Sequence, residues 1–342
     1  MINNKQKYSI IWLSCVCTLI ITIVMVGGIT RLTNSGLSMV NWHPIMGIIP
    51  PLSESSWQAT FKKYQQFPEY QQLHQTMQLE SFKWIFFWEY AHRMLGRLIG
   101  IAIIIPLLIL SILKILDKKL IYRGFIMSGL VISQGIMGWI MVKSGLINQP
   151  YISHIRLMLH LSLAFFLFIY IWWTLLIIVK PICYPIKKST TKWVKLLIFG
   201  IIIQIIYGAF VAGLDAGYIM NTFPKMGHQW VPNEIVQLRP IWNNLINNPI
   251  TVQFIHRILA IILLLSVILI SYSLLHQRLS WFQRRAVIFL LISTITQFAL
   301  GIITLIYHVP IYIAVAHQLM ALLLLTASVT IYFSVSNYNS EY

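Results

Sequence analysis

The sequence predicts an all-α membrane protein: eight transmembrane helices forming two pseudo-symmetric four-helix bundles in parallel repeat. Three observations carry that expectation. The 342-residue chain is 58% hydrophobic and 10% charged, with a mean hydropathy of +0.76, far from a soluble globular composition. Eight stretches reach the ~20 mostly apolar residues that a bilayer core requires, and in lipid such stretches satisfy their backbone as helices. Finally, short blocks of the first half recur in the second at nearly constant offsets.

The first apolar stretch, residues 10–29, runs into Gly27 and Gly36. The second, 84–113, carries Glu89, His92, Arg93 and Arg97 in its first third. The third, 121–142, contains Ser133-Gln134-Gly135, and the fourth, 155–179, contains His160. The fifth, 194–213, repeats the first, with Gly208 and Gly217 at an offset of 181. The sixth, 252–275, repeats the second: Gln253-Phe254-Ile255-His256-Arg257 echoes Glu89-Tyr90-Ala91-His92-Arg93 at an offset of 164. The seventh, 284–306, carries Thr296-Gln297-Phe298 opposite the Gln134 block, and the eighth, 311–333, carries His317 opposite His160. Each half thus has four spans. Four is even, so the second half enters the membrane in the same sense as the first, unlike the inverted repeats of many transporters. Two bundles side by side follow, 1–180 and 181–342.

Lys and Arg set the orientation. Lys114, Lys118, Lys119 and Arg123 crowd one short connection, Lys187, Lys188, Lys192 and Lys195 another, and Arg278, Arg284 and Arg285 a third. Placing these in the cytoplasm puts both termini there and satisfies the positive-inside rule. The net charge of +17 then reads as topology signal and anionic-lipid contact, with no nucleic-acid surface implied. Cys15, Cys17 and Cys183 avoid the outer loops, which argues against a disulfide on the oxidising side. The first helix begins almost at once, without an Arg/Ser-rich leader, which favours a bacterial inner membrane. The long outer loops, 30–82 and 214–251, hold Trp42, Trp57, Trp230 and Trp242 and the run Asn41-Trp42-His43-Pro44. They read either as lids, with a short amphipathic helix over 53–66, or as interfacial aromatic anchors.

His92, His160, His256 and His317 all fall in the first half of spans that run inward, so they share a depth near the outer face. Neutral imidazole is a common axial ligand of haem iron, and two helices can offer one each to opposite faces of the macrocycle. Four histidines in matching places point to two haem sites. Zinc is the rival metal, but neither cysteine nor enough carboxylate stands by to complete a tetrahedral set. Arg93 and Arg257 follow their histidines directly, and a guanidinium in lipid needs a partner. Haem propionates would supply one; snorkelling to lipid headgroups is the alternative. Glu89 precedes His92 by three positions and Arg93 by four, so all three share a helix face. Its counterpart is Gln253, which cannot exchange protons in this way. Glu89 is therefore the candidate catalytic acid or base, against the alternative of a plain salt bridge to Arg93. One half looks equipped for chemistry and the other for holding a cofactor. Gln134 and Gln297 suggest hydrogen bonds between helices.

The blocks at 27–39 (Gly-Gly-Ile-Thr-Arg-Leu-Thr-Asn-Ser-Gly-Leu-Ser-Met), 89–97 (Glu-Tyr-Ala-His-Arg-Met-Leu-Gly-Arg), 253–257 and 316–318 closely resemble the haem A synthase family. The resemblance covers nearly the whole chain. It implies an eight-helix membrane enzyme that oxidises the C8 methyl group of haem O, through successive hydroxylations, to the formyl group of haem A for terminal oxidases. It further implies substrate haem O between His92 and His160, a resident haem b between His256 and His317, and Glu89 as the essential carboxylate. The haem O synthase, terminal oxidase assembly factors and membrane lipid are the implied partners. Some family members carry an outer-loop cysteine pair. Its absence here resembles the proteobacterial and mitochondrial-type branch and leaves the electron acceptor open. Two other classes of function remain on the residues alone. A di-haem b-type electron-transfer cytochrome would want haems on opposite sides of the bilayer, and a transporter has no need of four such histidines.

Overall fold

The computed structural model describes residues 3–40, 48–145 and 151–336; Asn41-Trp42-His43-Pro44 lies outside them. Eight helices are long and apolar enough to cross a membrane. They are α1 (Asn4–Leu32), α4 (Leu79–Ile112), α5 (Lys118–Gly145), α6 (His154–Val179), α7 (Lys188–Gly213), α9 (Pro249–Leu275), α10 (Trp281–Ile306) and α11 (Ile311–Ser336). Seven contain the apolar stretch expected of them and α4 stops one residue short of its own, at Ile112; most extend a few residues beyond at one end, because polar residues at the interface still close backbone hydrogen bonds. α4 is the extreme case. Its 34 residues make a rod of about 50 Å, longer than the ~30 Å hydrocarbon layer. Its first turn therefore takes in Glu80, which pairs with Lys83 at 2.8 Å and stays exposed.

Local signals fix the ends. Ser280 caps α10 with a capping box to Gln283, and Asn248 caps α9 ahead of Pro249 in the first turn. The outer loops add the short helices α2 (Glu54–Tyr64), α3 (Pro68–Leu73) and α8 (Asn244–Asn247). α2 is the expected amphipathic helix, started by a Ser53–Ser56 capping box.

The chain divides into two compact units, residues 14–167 and residues 1–13 with 168–342. In the second, α7 packs on α9, α9 on α10, α10 on α11 and α11 on α7. In the first, α4 packs on α5 and on α2, and Thr30 of α1 donates to the carbonyl of Trp88 of α4 at 3.3 Å. The two long loops behave differently. Trp57 packs edge-on against Phe82 and Phe86 in a small aromatic core that includes fully buried Tyr64. Trp230 and Trp242 remain exposed.

Candidate haem sites

Each of the four histidines is carried on one helix and cradled by a glycine of another. His92 (α4) lies over Gly27 (α1), His160 (α6) over Gly138 (α5), His256 (α9) over Gly208 (α7) and His317 (α11) over Gly301 (α10). A Cβ added at these glycines would stand 2.9, 3.2, 3.1 and 2.9 Å from the respective imidazole Cε1. Any other residue would push the ring away. Four residues before three of the glycines stands a glutamine, one turn along the same face. Gln134, Gln204 and Gln297 place their amide nitrogens 3.4 Å from Nε2 of His160, His256 and His317. Gln134 and Gln297 thus make the contacts between helices that their positions suggested.

The arrangement fits a metal held between paired rings. Nδ1 of all four histidines is buried without a hydrogen-bond partner. An orphan of this kind costs about 1–3 kcal/mol, and four in matching places indicate a shared purpose. A metal–imidazole bond is about 2 Å and the bonded nitrogen lies about 1 Å from its ring centre, so rings on opposite sides of one ion sit about 6 Å apart. The His92 and His160 ring centres are 6.3 Å apart. His256 and His317 are near enough to interact electrostatically. Among the described residues no group of three or more His, Cys, Asp or Glu converges on one point. Each pair offers two imidazoles, a set that fits a macrocycle supplying the remaining ligands.

Beside the first pair, Glu89 is 3% exposed. Its Oε2 accepts from the Ser38 hydroxyl at 2.7 Å and from the Met39 N–H at 2.6 Å, and its Oε1 accepts from Arg93 at 2.5 Å. Arg93 donates also to the Met39 carbonyl at 2.9 Å. Beside the second pair, Gln253 is 4% exposed and its amide donates to the carbonyls of Ala216 and Ile219, both at 2.6 Å. Its Oε1 accepts from Arg257 at 2.8 Å, and Arg257 donates also to the carbonyl of Met220 at 2.6 Å. The two cages are one design with its polarity reversed. At the offset of 181, the Ser38–Met39 peptide corresponds to Ile219–Met220. The first turns its N–H to the carboxylate; the second turns its C=O to the amide. Met220 accordingly has φ 52°, while Asn34 and Asp215, also matched at 181, both have φ 51°. The predicted partners of Arg93 and Arg257 were propionates or headgroups. Both arginines hold loop carbonyls, and the Arg257 Nε is buried and unpaired.

Sequence reading passed over Gln204, Gly138 and Gly301, although the spacing Gln-x-x-x-Gly, found three times on α5, α7 and α10, was there to find. It passed over a second buried acid as well. Glu69, 4% exposed, accepts from the Tyr64 hydroxyl at 3.0 Å, and that hydroxyl meets His74 Nδ1 at 2.8 Å. Burial pushes Glu69 up to about 8, the Tyr64 hydrogen bond opposes this, and nearby Glu89 adds to it. Nothing in the local sequence marks Glu69, since its burial comes from the aromatic core of the loop.

A family model described as cytochrome oxidase assembly protein, COX15-CtaA, matches residues 10–329. The chain is similar to the Heme A synthase of Flavobacterium psychrophilum, 41% identical over 96% of this chain and 97% of the relative. It is 43% identical to the Heme A synthase of Orientia tsutsugamushi, with 96% of each chain covered. The Heme A synthase of Ehrlichia canis is 41% identical over 92% of this chain and 89% of its own.

Proposed function

The chain belongs to the COX15-CtaA family of cytochrome oxidase assembly proteins, and from that premise we propose that it is a haem A synthase. It takes haem O as substrate between His92 and His160 in the amino-terminal half and oxidises the C8 methyl group to the formyl group of haem A. A haem b stays between His256 and His317 in the carboxy-terminal half. The observation that carries this reading is the pair of rings 6.3 Å apart with a caged carboxylate on the same helix face, present in one half only.

Bound haem supplies the redox chemistry of the reaction. The protein's share is position and proton handling. His92 and His160 fix the plane of the substrate, and glycines 27 and 138 let the rings approach. Oxidising a methyl group to an aldehyde removes protons along with electrons, so an acceptor close to the substrate is required. Glu89 provides it, three residues from His92 and held by Ser38, Met39 and Arg93. Arg257, with its spare Nε donor, suits a propionate of the resident haem. In a bacterial inner membrane, the bias of Lys and Arg supports cytoplasmic termini and both sites towards the outer face.

The test is pigment analysis of cells expressing the native chain or Glu89→Gln. The native chain should yield haem A and hydroxylated haem O. The variant should fold, bind haem and accumulate haem O, with haem A production lowered at least about 100-fold, the usual scale for losing a general base. Normal haem A yield from well-expressed Glu89→Gln protein would refute the catalytic role. Haem b alone from the native chain would point to an electron carrier.

A further inference from the structure

Trp88 of α4 stands four residues before His92, so the two share a helix face with Trp88 one turn nearer the loop. Its indole meets the rings of Trp84 and Phe87, both exposed on the outside of α4. Its Nε1 is nevertheless buried and has no hydrogen-bond partner. The N–H is thus turned away from lipid and into the protein. A buried indole N–H ordinarily finds an acceptor, and within a bilayer no water is at hand to serve as one. The turn that carries it is also fixed. The Thr30 hydroxyl of α1 donates to the Trp88 carbonyl at 3.3 Å, which ties Trp88 to the helix that cradles His92. Neither residue recurs in the second half. Val252 lies 164 positions after Trp88, and Val211 lies 181 after Thr30. Val252 is fully buried hydrocarbon, and the spare donor of that half is the Arg257 Nε.

We propose that Trp88 positions the substrate: its indole N–H donates to a propionate of the haem held by His92, and so sets which edge of the macrocycle faces Glu89. The proposal rests on the reading above, which puts haem O between His92 and His160. Along the helix axis, Glu89 and Trp88 lie about 4.5 and 6 Å from His92 towards the loop. Around the axis they flank it, Glu89 about 60° to one side and Trp88 about 40° to the other. The macrocycle edge at this end of α4 therefore meets a carboxylate and an N–H. On haem O the C8 methyl shares its pyrrole ring with a propionate, while the farnesyl-bearing substituent is on another ring. An orientation that brings this methyl to Glu89 brings a propionate to the same end. The propionate is repelled by one carboxylate and drawn to the donor on the far side of His92, where a charge-assisted hydrogen bond is strong.

The experiment uses the full-length chain purified in mild detergent from cells that make haem b but no haem O. It is titrated with haem O and, separately, with haem O dimethyl ester, whose propionates carry no charge. Low-spin absorbance reports binding. Trp88→Phe keeps an aromatic ring and removes the N–H. It should weaken haem O binding roughly tenfold, the scale of one hydrogen bond to a charged group, while ester binding changes little and haem b content stays the same. Comparing variant with native for each pigment cancels its partition into detergent. Equal affinity of the two chains for haem O overturns the proposal. So does an equal loss for acid and ester, which would leave Trp88 a packing role alone. Should Trp88→Phe fail to fold, the native chain decides, with each pigment corrected for uptake by empty micelles. Weaker binding of the ester supports the proposal, and binding as tight as that of haem O overturns it. A native chain that takes up no haem O beyond its haem b refutes the underlying reading instead, a separate result visible before any variant is made.

Discussion

Glu89 and Gln253 occupy the same place in two copies of one design. Each sits three residues before a histidine, each is buried, and each meets an arginine one turn along that also holds the carbonyl of a matched methionine, Met39 or Met220. They differ in what the loop shows them. Glu89 faces a hydroxyl and an N–H; Gln253 faces two carbonyls. A carboxylate among carbonyls would be repelled, and an amide nitrogen facing an N–H would lose its acceptors. The residue and the peptide orientation differ together between the two copies. The reversed peptide leaves Met220 in the left-handed region, at a cost of about 1–2 kcal/mol for a residue with a Cβ, which the two hydrogen bonds from Gln253 offset. In this duplicated scaffold the carboxylate cage and the amide cage differ by the turn of one peptide plane.

The comparison can be broken most sharply at the histidines. Replacing His256 or His317 by Ala should remove most of the low-spin b-type absorbance of the purified chain, because each supplies half of a two-imidazole donor set. Replacing His92 or His160 should leave that absorbance and abolish the farnesylated pigment. Equal loss of haem b from all four variants would mean that the halves are not specialised.

The glycine cradles give a graded test. An alanine at Gly27 or Gly301 brings a methyl group to 2.9 Å from the imidazole, against 3.2 Å at Gly138. Overpacking of this order costs about 1–3 kcal/mol. Haem occupancy should fall most in Gly27→Ala and Gly301→Ala and least in Gly138→Ala, each in its own half. The measurement is haem per chain, by pigment and protein assay. A loss independent of position would show that the glycines serve helix packing alone.

The smallest expected effect is confined to the amino-terminal loop, where Glu69 is buried while Glu234 of the carboxy-terminal loop is only half-buried. Glu69 is held up at about 8 by burial, with Tyr64, His74 and Glu89 around it. An unfolded glutamate titrates near about 4.3. Since the folded value is raised, its contribution is fully present below the unfolded value and is lost as pH rises through the folded one. Burial lowers His74, so that group acts the other way, losing its contribution as pH falls below its usual value. The interval between roughly pH 6.5 and pH 8 thus reports Glu69. Over it, protection of residues 53–78 from limited proteolysis should weaken, and Glu69→Gln should flatten the trend. A native loop whose protection is constant across that interval would remove Glu69 as a titrating group.

Much of this protein is legible from sequence because its strongest signals are local. A helix in lipid closes its own hydrogen bonds, so apolar length alone marks the eight spans, and the ends move by only a few residues. A histidine or a glutamate in such a span is expensive enough to be visible singly, which is how His92, His160, His256, His317 and Glu89 are found. The glutamine–glycine pairs sit between these extremes. Gln134 and Gln297 are visible as polar residues in apolar spans, and Gln204 shares their spacing to a glycine, but what the three pairs have in common follows only from seeing which imidazole each glycine faces. Only the tertiary structure decides the remainder. Whether the Ser38–Met39 and Ile219–Met220 peptides present N–H or C=O depends on side chains about 35 to 50 residues away along the chain, and the burial of Glu69 depends on aromatic rings contributed by α2, α3 and α4. Residue type fixes what a group can donate or accept; the direction in which a loop peptide points is set by what is packed against it.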